Sequence, residues 1–73
     1  MNSNDQLIRY HIRLQGHFDA HRLRWFEDLE VSRRPEGETV ISGALDQAGL
    51  HGVLNRIRDM GVVLIAVERE ENG

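Results

Sequence analysis

Arg9, His11 and Arg13 recur at every second position, so in an extended stretch their side chains stand in a row on one face. Two guanidiniums flanking an imidazole could hold an anionic substrate, supply acid-base chemistry through His11, or follow a phosphate backbone. A second polar set, Asp46, Gln47 and His51, falls where a helical pattern begins, and free N–H groups at a helix start can hold a carboxylate or phosphate. His17 and His21 lie four residues apart around Asp19. On a continuous helix that spacing aims two imidazoles at one metal.

Each set has a simpler competing use. Asp19 and Asp46 immediately precede helical patterns, where a carboxylate accepts hydrogen bonds from the first backbone N–H groups, and both are assigned as helix caps. With Asp19 as a cap, His17 lies outside the helix and the metal spacing loses its meaning, so no metal and no cofactor are expected. Asp46 fills its helix end with its own charge, and no nucleophile or second carboxylate accompanies it, so no catalytic residue is assigned. The arginines of the first strand are expected to meet Glu38 or Glu68 on neighbouring strands. A sheet that binds RNA carries stacking aromatics on the reading face. Here Tyr10, Phe18, Trp25 and Phe26 fall on the other face or in the first helix and its cap, where packing is their expected role.

The elements that position these residues follow from the hydrophobic pattern. Residues 7–15 alternate, with Ile8, Tyr10, Ile12 and Leu14 opposite the polar row, as a half-buried strand does. Gly16 ends it, and a short helix is expected over 20–28, with Phe18 and Leu23 forming a hydrophobic staple across the cap. Strands over 29–34 and 38–45, joined by Pro35, Glu36 and Gly37, make a hairpin. A second helix runs from Asp46 to Gly61. Leu50, Val53, Leu54, Ile57 and Met60 line one side of it at three- and four-residue spacing, and Gly61 ends it in the usual left-handed position. Residues 62–67 are six consecutive apolar residues, expected to be a fourth strand.

The pattern apolar-x-Gly-x-apolar-Asp-x-x-x-Leu occurs twice, from Leu14 and from Ile41, at an offset of 27 residues. Two such strand-helix-strand units in tandem predict an α+β domain of the ferredoxin-like βαββαβ type. That arrangement is a four-stranded antiparallel sheet in the order 4-1-3-2 with two helices on one face. At 73 residues there is room for one hydrophobic core, placed at residues 7–68, with 1–6 and 69–73 expected to be flexible.

Composition narrows the function classes. Forty per cent hydrophobic and 29% charged residues fit a folded domain. The absence of cysteine excludes disulfides, thiolate metal sites and cysteine nucleophiles, and is in keeping with a cytoplasmic protein. The polar N-terminus has no apolar export segment, and the run at 62–67 falls far short of the roughly 20 residues that span a bilayer. Neither export nor a membrane partner is expected. A formal charge of −3 disfavours a broad phosphate-binding surface, so nucleic acid is not an expected partner.

The string Ile8 to Asp19, the Trp25-Phe26 pair, and Asp46-Gln47-Ala48-Gly49-Leu50-His51-Gly52 leading into Ile57 to Gly61 resemble a family of short, uncharacterised bacterial single-domain proteins. The resemblance covers about residues 7–68 and is most specific in the DQAGLHG segment. It departs at His21 to Arg24, where another aromatic would be expected. It implies no activity and no catalytic residues.

The fourth strand carries the strongest functional expectation. In the 4-1-3-2 order it lies at an edge, with Val62, Leu64 and Ala66 on one side and Val63, Ile65 and Val67 on the other, all apolar. A bare edge of that kind invites pairing, whereas the second strand is guarded by Glu30, Ser32, Arg33, Arg34 and Pro35. The expected cover is a second copy of the chain. The leading expectation is therefore a non-enzymatic interaction or regulatory module. It would be homodimeric through strand four or the open sheet face, with Arg9, His11, Arg13, Val62, Leu64 and Ala66 as the face that meets a protein or small ligand. The alternatives are a small dimeric enzyme using His11 or His51 with Arg9 in a pocket between sheet and partner, and RNA binding on the Arg9, His11 and Arg13 face.

Overall fold

The computed structural model describes residues 6–70. Its first strand, β1 (Ile8–Gln15), buries Tyr10, Ile12 and Leu14 and leaves Arg9, His11 and Arg13 half-buried on the other face. Alternation alone decides this: a period of two puts every apolar residue of the strand on one side. Gly16 then turns the chain out of the sheet at φ +107°, a region where a side chain is strained. Both ends of that turn are tied to the hairpin. The Gly16 N–H donates to the Gly37 carbonyl at 2.7 Å, and the Gly16 carbonyl accepts from the buried Thr39 hydroxyl at 2.6 Å.

The Asp19 carboxylate accepts from the Arg22 N–H at 2.9 Å and so caps α1 (Ala20–Leu23). The helix expected over 20–28 is only this one α turn. It tightens at once into a 3-10 turn, Arg24–Phe26. A segment so short has little helical stability of its own, and the tighter winding carries Phe26 to a fully buried position in the core. The chain straightens again at β2 (Glu30–Arg34) and turns through Gly37 at φ +83°. It returns as β3 (Glu38–Leu45).

Asp46 caps α2 (Gln47–Met60) through the Gly49 N–H at 2.7 Å, and Gly61 closes it at φ +72° with its N–H on the Arg58 carbonyl. Leu50, Val53 and Ile57 form the buried stripe. They meet Tyr10, Ile12 and Leu14 of β1, Ile41 of β3, Phe18 from the turn before α1 and Phe26 of the 3-10 turn in a single cluster, so both helical segments cover the same face of the sheet. Gly43 stands opposite Tyr10 on that face, and the Leu29 side chain lies over it so closely that a Cβ there would overlap Leu29.

β4 (Leu64–Arg69) completes a four-stranded sheet in the order β2-β3-β1-β4, with every neighbouring pair antiparallel. The domain is α+β, an open antiparallel sheet with two helical segments. The fourth strand starts later and ends later than the expected 62–67. Among the positions expected to fray, Arg69 is in the strand and the Glu70 N–H bonds the Arg9 carbonyl at 2.8 Å. Residues 1–5 and 71–73 lie outside the described residues.

Candidate functional site

The open face of β1 carries a matched set of charges. Arg9 bonds Glu30 of β2 and approaches Glu70 at 3.6 Å, so it draws a carboxylate from each edge of the sheet. The His11 Nε2 lies 2.8 Å from the same Glu70 carboxylate, and its Nδ1 lies 2.9 Å from the Ser42 hydroxyl on β3. Arg13 grips Glu38 through Nε and Nη2, both at 3.2 Å. That bidentate pair holds the Glu38 carboxyl below its usual range, chiefly through the hydrogen bonds from Arg13, and raises Arg13 in turn. Arg13, Arg34, Glu36 and Glu38 also line an open depression of about 360 Å³ at the hairpin end of this face. Its two cations and two carboxylates leave no net charge to select an anion.

Arg9, His11 and Arg13 are therefore brought together as one row, with acidic neighbours as expected. Glu38 is one of the two carboxylates anticipated. Glu68 stands directly opposite His11 in the register, yet Glu70 takes the ion pairs. Glu70 falls in the tail expected to fray, and the sequence pattern alone puts neither Glu30 nor Ser42 on this face. The alternation of β3 against β1 was the available signal for Ser42, since the two strands place it beside His11.

Ser42, His11 and Glu70 stand in the order of a nucleophile, a base and an orienting carboxylate. Ser42 is buried, and its strand lies between β1 and β2, so its backbone amide is engaged in the ladder and is not free to stabilise an oxyanion. The arrangement joins the end of β4 to the middle of the sheet through His11.

The other polar sets are dispersed. Asp46 is engaged as a cap, Gln47 donates to the Tyr10 hydroxyl at 3.1 Å, and His51 is exposed on α2. His17 bonds the Arg34 carbonyl at 3.1 Å, while His21 is exposed in α1. Among the described residues no three His, Cys, Asp or Glu side chains cluster as metal ligands would.

The apolar half of the candidate site is divided by a β-bulge. β1 advances one residue, from Arg13 to Leu14, while its partners on β4 advance two, from Ala66 to Leu64. Ile65 is the extra residue, and the alternation of side chains restarts there. Val62, Leu64 and Ala66 consequently do not share one face. Val62 packs against the core, Leu64 falls opposite Leu14 of the core face, and Ala66 falls opposite Arg13 of the open face. What the edge does expose is a run of large apolar side chains: Val63 at 58%, Leu64 at 43%, Ile65 at 40% and Val67 at 39% of their surface. Edge strand and polar row meet at Ala66 and Glu68, beside Arg13 and His11.

A family model described as a domain of unknown function (DUF8691) matches residues 9–68. The chain belongs to that family. The matched span of this DUF8691 domain begins at Arg9 and ends at Glu68, so it includes β2, β3, both helical segments, all but the outermost residue of β1 and of β4, and all of the polar row except Glu70. No curated protein and no solved structure matches the chain. No described helix is long and apolar enough to cross a membrane.

Proposed function

We propose that this domain is a non-enzymatic interaction module that works as a homodimer, joined through the β4 edge. The observation that carries this is the exposed run Val63, Leu64, Ile65 and Val67 on a strand with no neighbour on its outer side among the described residues. An apolar edge is a template for a further strand, and closed two-fold assembly is the commonest way to cover one. The polar row adds little as a recognition surface of its own, because its charges are already matched within the chain. The test is size-exclusion chromatography with light scattering at micromolar concentration. A mass of twice the 8.4 kDa chain is expected, and a monomer overturns the reading.

We read the architecture as the ferredoxin-like βαββαβ arrangement. Support comes from the element order β1-α1-β2-β3-α2-β4 and from the sheet order which, taken from the other edge, runs β4-β1-β3-β2 with all pairs antiparallel. In the DUF8691 family, bacterial by resemblance, the segment Asp46 to Gly52 should recur for physical reasons. Asp46 caps the helix, Gln47 holds Tyr10, and a Cβ at Gly49 would come within 3.1 Å of the Asp46 carboxylate. Residence in the cytoplasm rests on the absence of cysteine.

One observation favours the enzyme reading instead, the Ser42, His11 and Glu70 relay. Labelling of Ser42 by a fluorophosphonate, lost in His11→Ala, would support it. No labelling would leave the relay as a structural tie. The RNA reading has the least support, since Arg9, His11 and Arg13 each already bond a carboxylate.

A further inference from the structure

The outer side of β4 has a definite chemistry. The Glu70 N–H points inward to the Arg9 carbonyl, and in an antiparallel ladder the N–H and C=O of one residue face the same side and alternate along the strand. Val67 and Arg69 therefore present their backbone groups to the free edge. A second copy that continues the sheet by antiparallel pairing keeps its helical face on the same side. A two-fold axis perpendicular to the sheet does this only where it passes through a residue, which then stands opposite its own copy.

The bulge at Ile65 breaks the ladder, so the candidate axes lie in the regular part of β4 from Ala66 to Arg69, and there charge separates them. An axis at Glu68 sets Glu68 against Glu68, and one at Arg69 sets Arg69 against Arg69. An axis at Ala66 aligns Arg13 of both copies in one row across two alanines, because Arg13 is opposite Ala66 within the chain. It also places the Ile65 bulge in the middle of the overlap. An axis at Val67 has none of these conflicts. It pairs Ala66 with Glu68 of the second copy, so the row on the open face reads Arg13, Ala66, then Glu68 and His11 of the second copy. Two strand spacings separate Arg13 from that Glu68, about 10 Å between Cα atoms. Only the methyl group of Ala66 stands between them. Arg13 engages Glu38 through Nε and Nη2, and Nη1 has no partner among the described residues.

We infer that two copies pair antiparallel through β4 about a two-fold axis at Val67. The pairing makes an eight-stranded sheet in which Arg13 of each copy reaches across Ala66 to Glu68 of the other. This rests on the dimer reading and specifies its register. Val67 exchanges two backbone hydrogen bonds with its counterpart, and the Arg13 and Glu68 pair occurs twice.

The chain has no cysteine, so single substitutions report symmetry directly. In a hydrogen-bonded antiparallel pair, opposed Cα atoms stand about 5.5 Å apart, within the 4.4–6.8 Å that a disulfide spans. Under mild oxidation Val67→Cys should form a covalent dimer roughly ten-fold faster than Ala66→Cys or Arg69→Cys. Glu68→Arg should weaken the dimer about ten-fold at low salt, because it removes two symmetric pairs and puts cations in their place. Unchanged far-UV circular dichroism would show that each variant folds. A monomeric wild-type chain overturns both the dimer reading and the register. A dimer that cross-links fastest at residue 66 or 69, or that tolerates Glu68→Arg, overturns the register alone.

Discussion

The two edges of the sheet come from two halves of the chain built on the same pattern, and they end in opposite chemistry. β2, which closes the first half, exposes Glu30, Ser32, Arg33 and Arg34. β4, which closes the second, exposes Leu64, Ile65 and Val67. The helical segments before them differ in the same sense. One α turn and a 3-10 turn anchored by Phe26 lead to the polar edge, and a 14-residue helix with three buried residues leads to the apolar one. A repeated motif thus sets where strands and caps begin. The residues after the cap decide how much core each half supplies and whether its edge can be left in water.

If the first half depends on one anchor, removing that anchor should have the largest effect of all. Phe26→Ala should cost about 3–5 kcal/mol, a large share of what a domain of this size has. Urea denaturation followed by circular dichroism would measure it, and a loss below 1 kcal/mol would show that the first helical segment is not held as described. Next in size is the contrast between the edges. Val67→Lys should weaken self-association at least about ten-fold, as a charge on an edge strand opposes pairing. Ser32→Lys on β2 should leave it unchanged. Equal effects in analytical ultracentrifugation would erase the distinction.

The caps probe the same asymmetry more gently. Asp46→Ala should cost about 1 kcal/mol. Asp19→Ala should cost less, since α1 is a single turn and the helix that depends on its cap is short. The smallest effect concerns Glu38. Its carboxyl titrates lower in the folded chain than in the unfolded one because Arg13 bonds its charged form. Its contribution is therefore complete above the ordinary glutamate range near pH 4 and lost as pH falls through its depressed folded value. Glu38→Gln should flatten that part of the stability profile, and an unchanged acid limb would mean the pair is screened by solvent.

Much of this was legible in the residues. β1 showed in its alternation and α2 in its cap, its spaced apolar stripe and Gly61, each a local signal with a local cause. The first helix was overestimated because capping chemistry marks where a helix starts, whereas its length is settled by where Phe26 must go. The bulge at Ile65 was not legible, since six apolar residues carry no alternation to fix a register and the offset appears only against β1. In the polar row, Arg13 and Glu38 could be matched from strand pairing. The role of Glu70 could not, because a polar tail reads the same whether or not a strand continues into it.

Leu29 and Gly43 form one packing position shared between two segments, the side chain of one occupying the space left by the other. Their volumes should trade across related sequences. Where position 43 gains a methyl or hydroxymethyl group, position 29 should shrink in compensation, and that paired change would record the contact in evolutionary time as directly as a distance does in space.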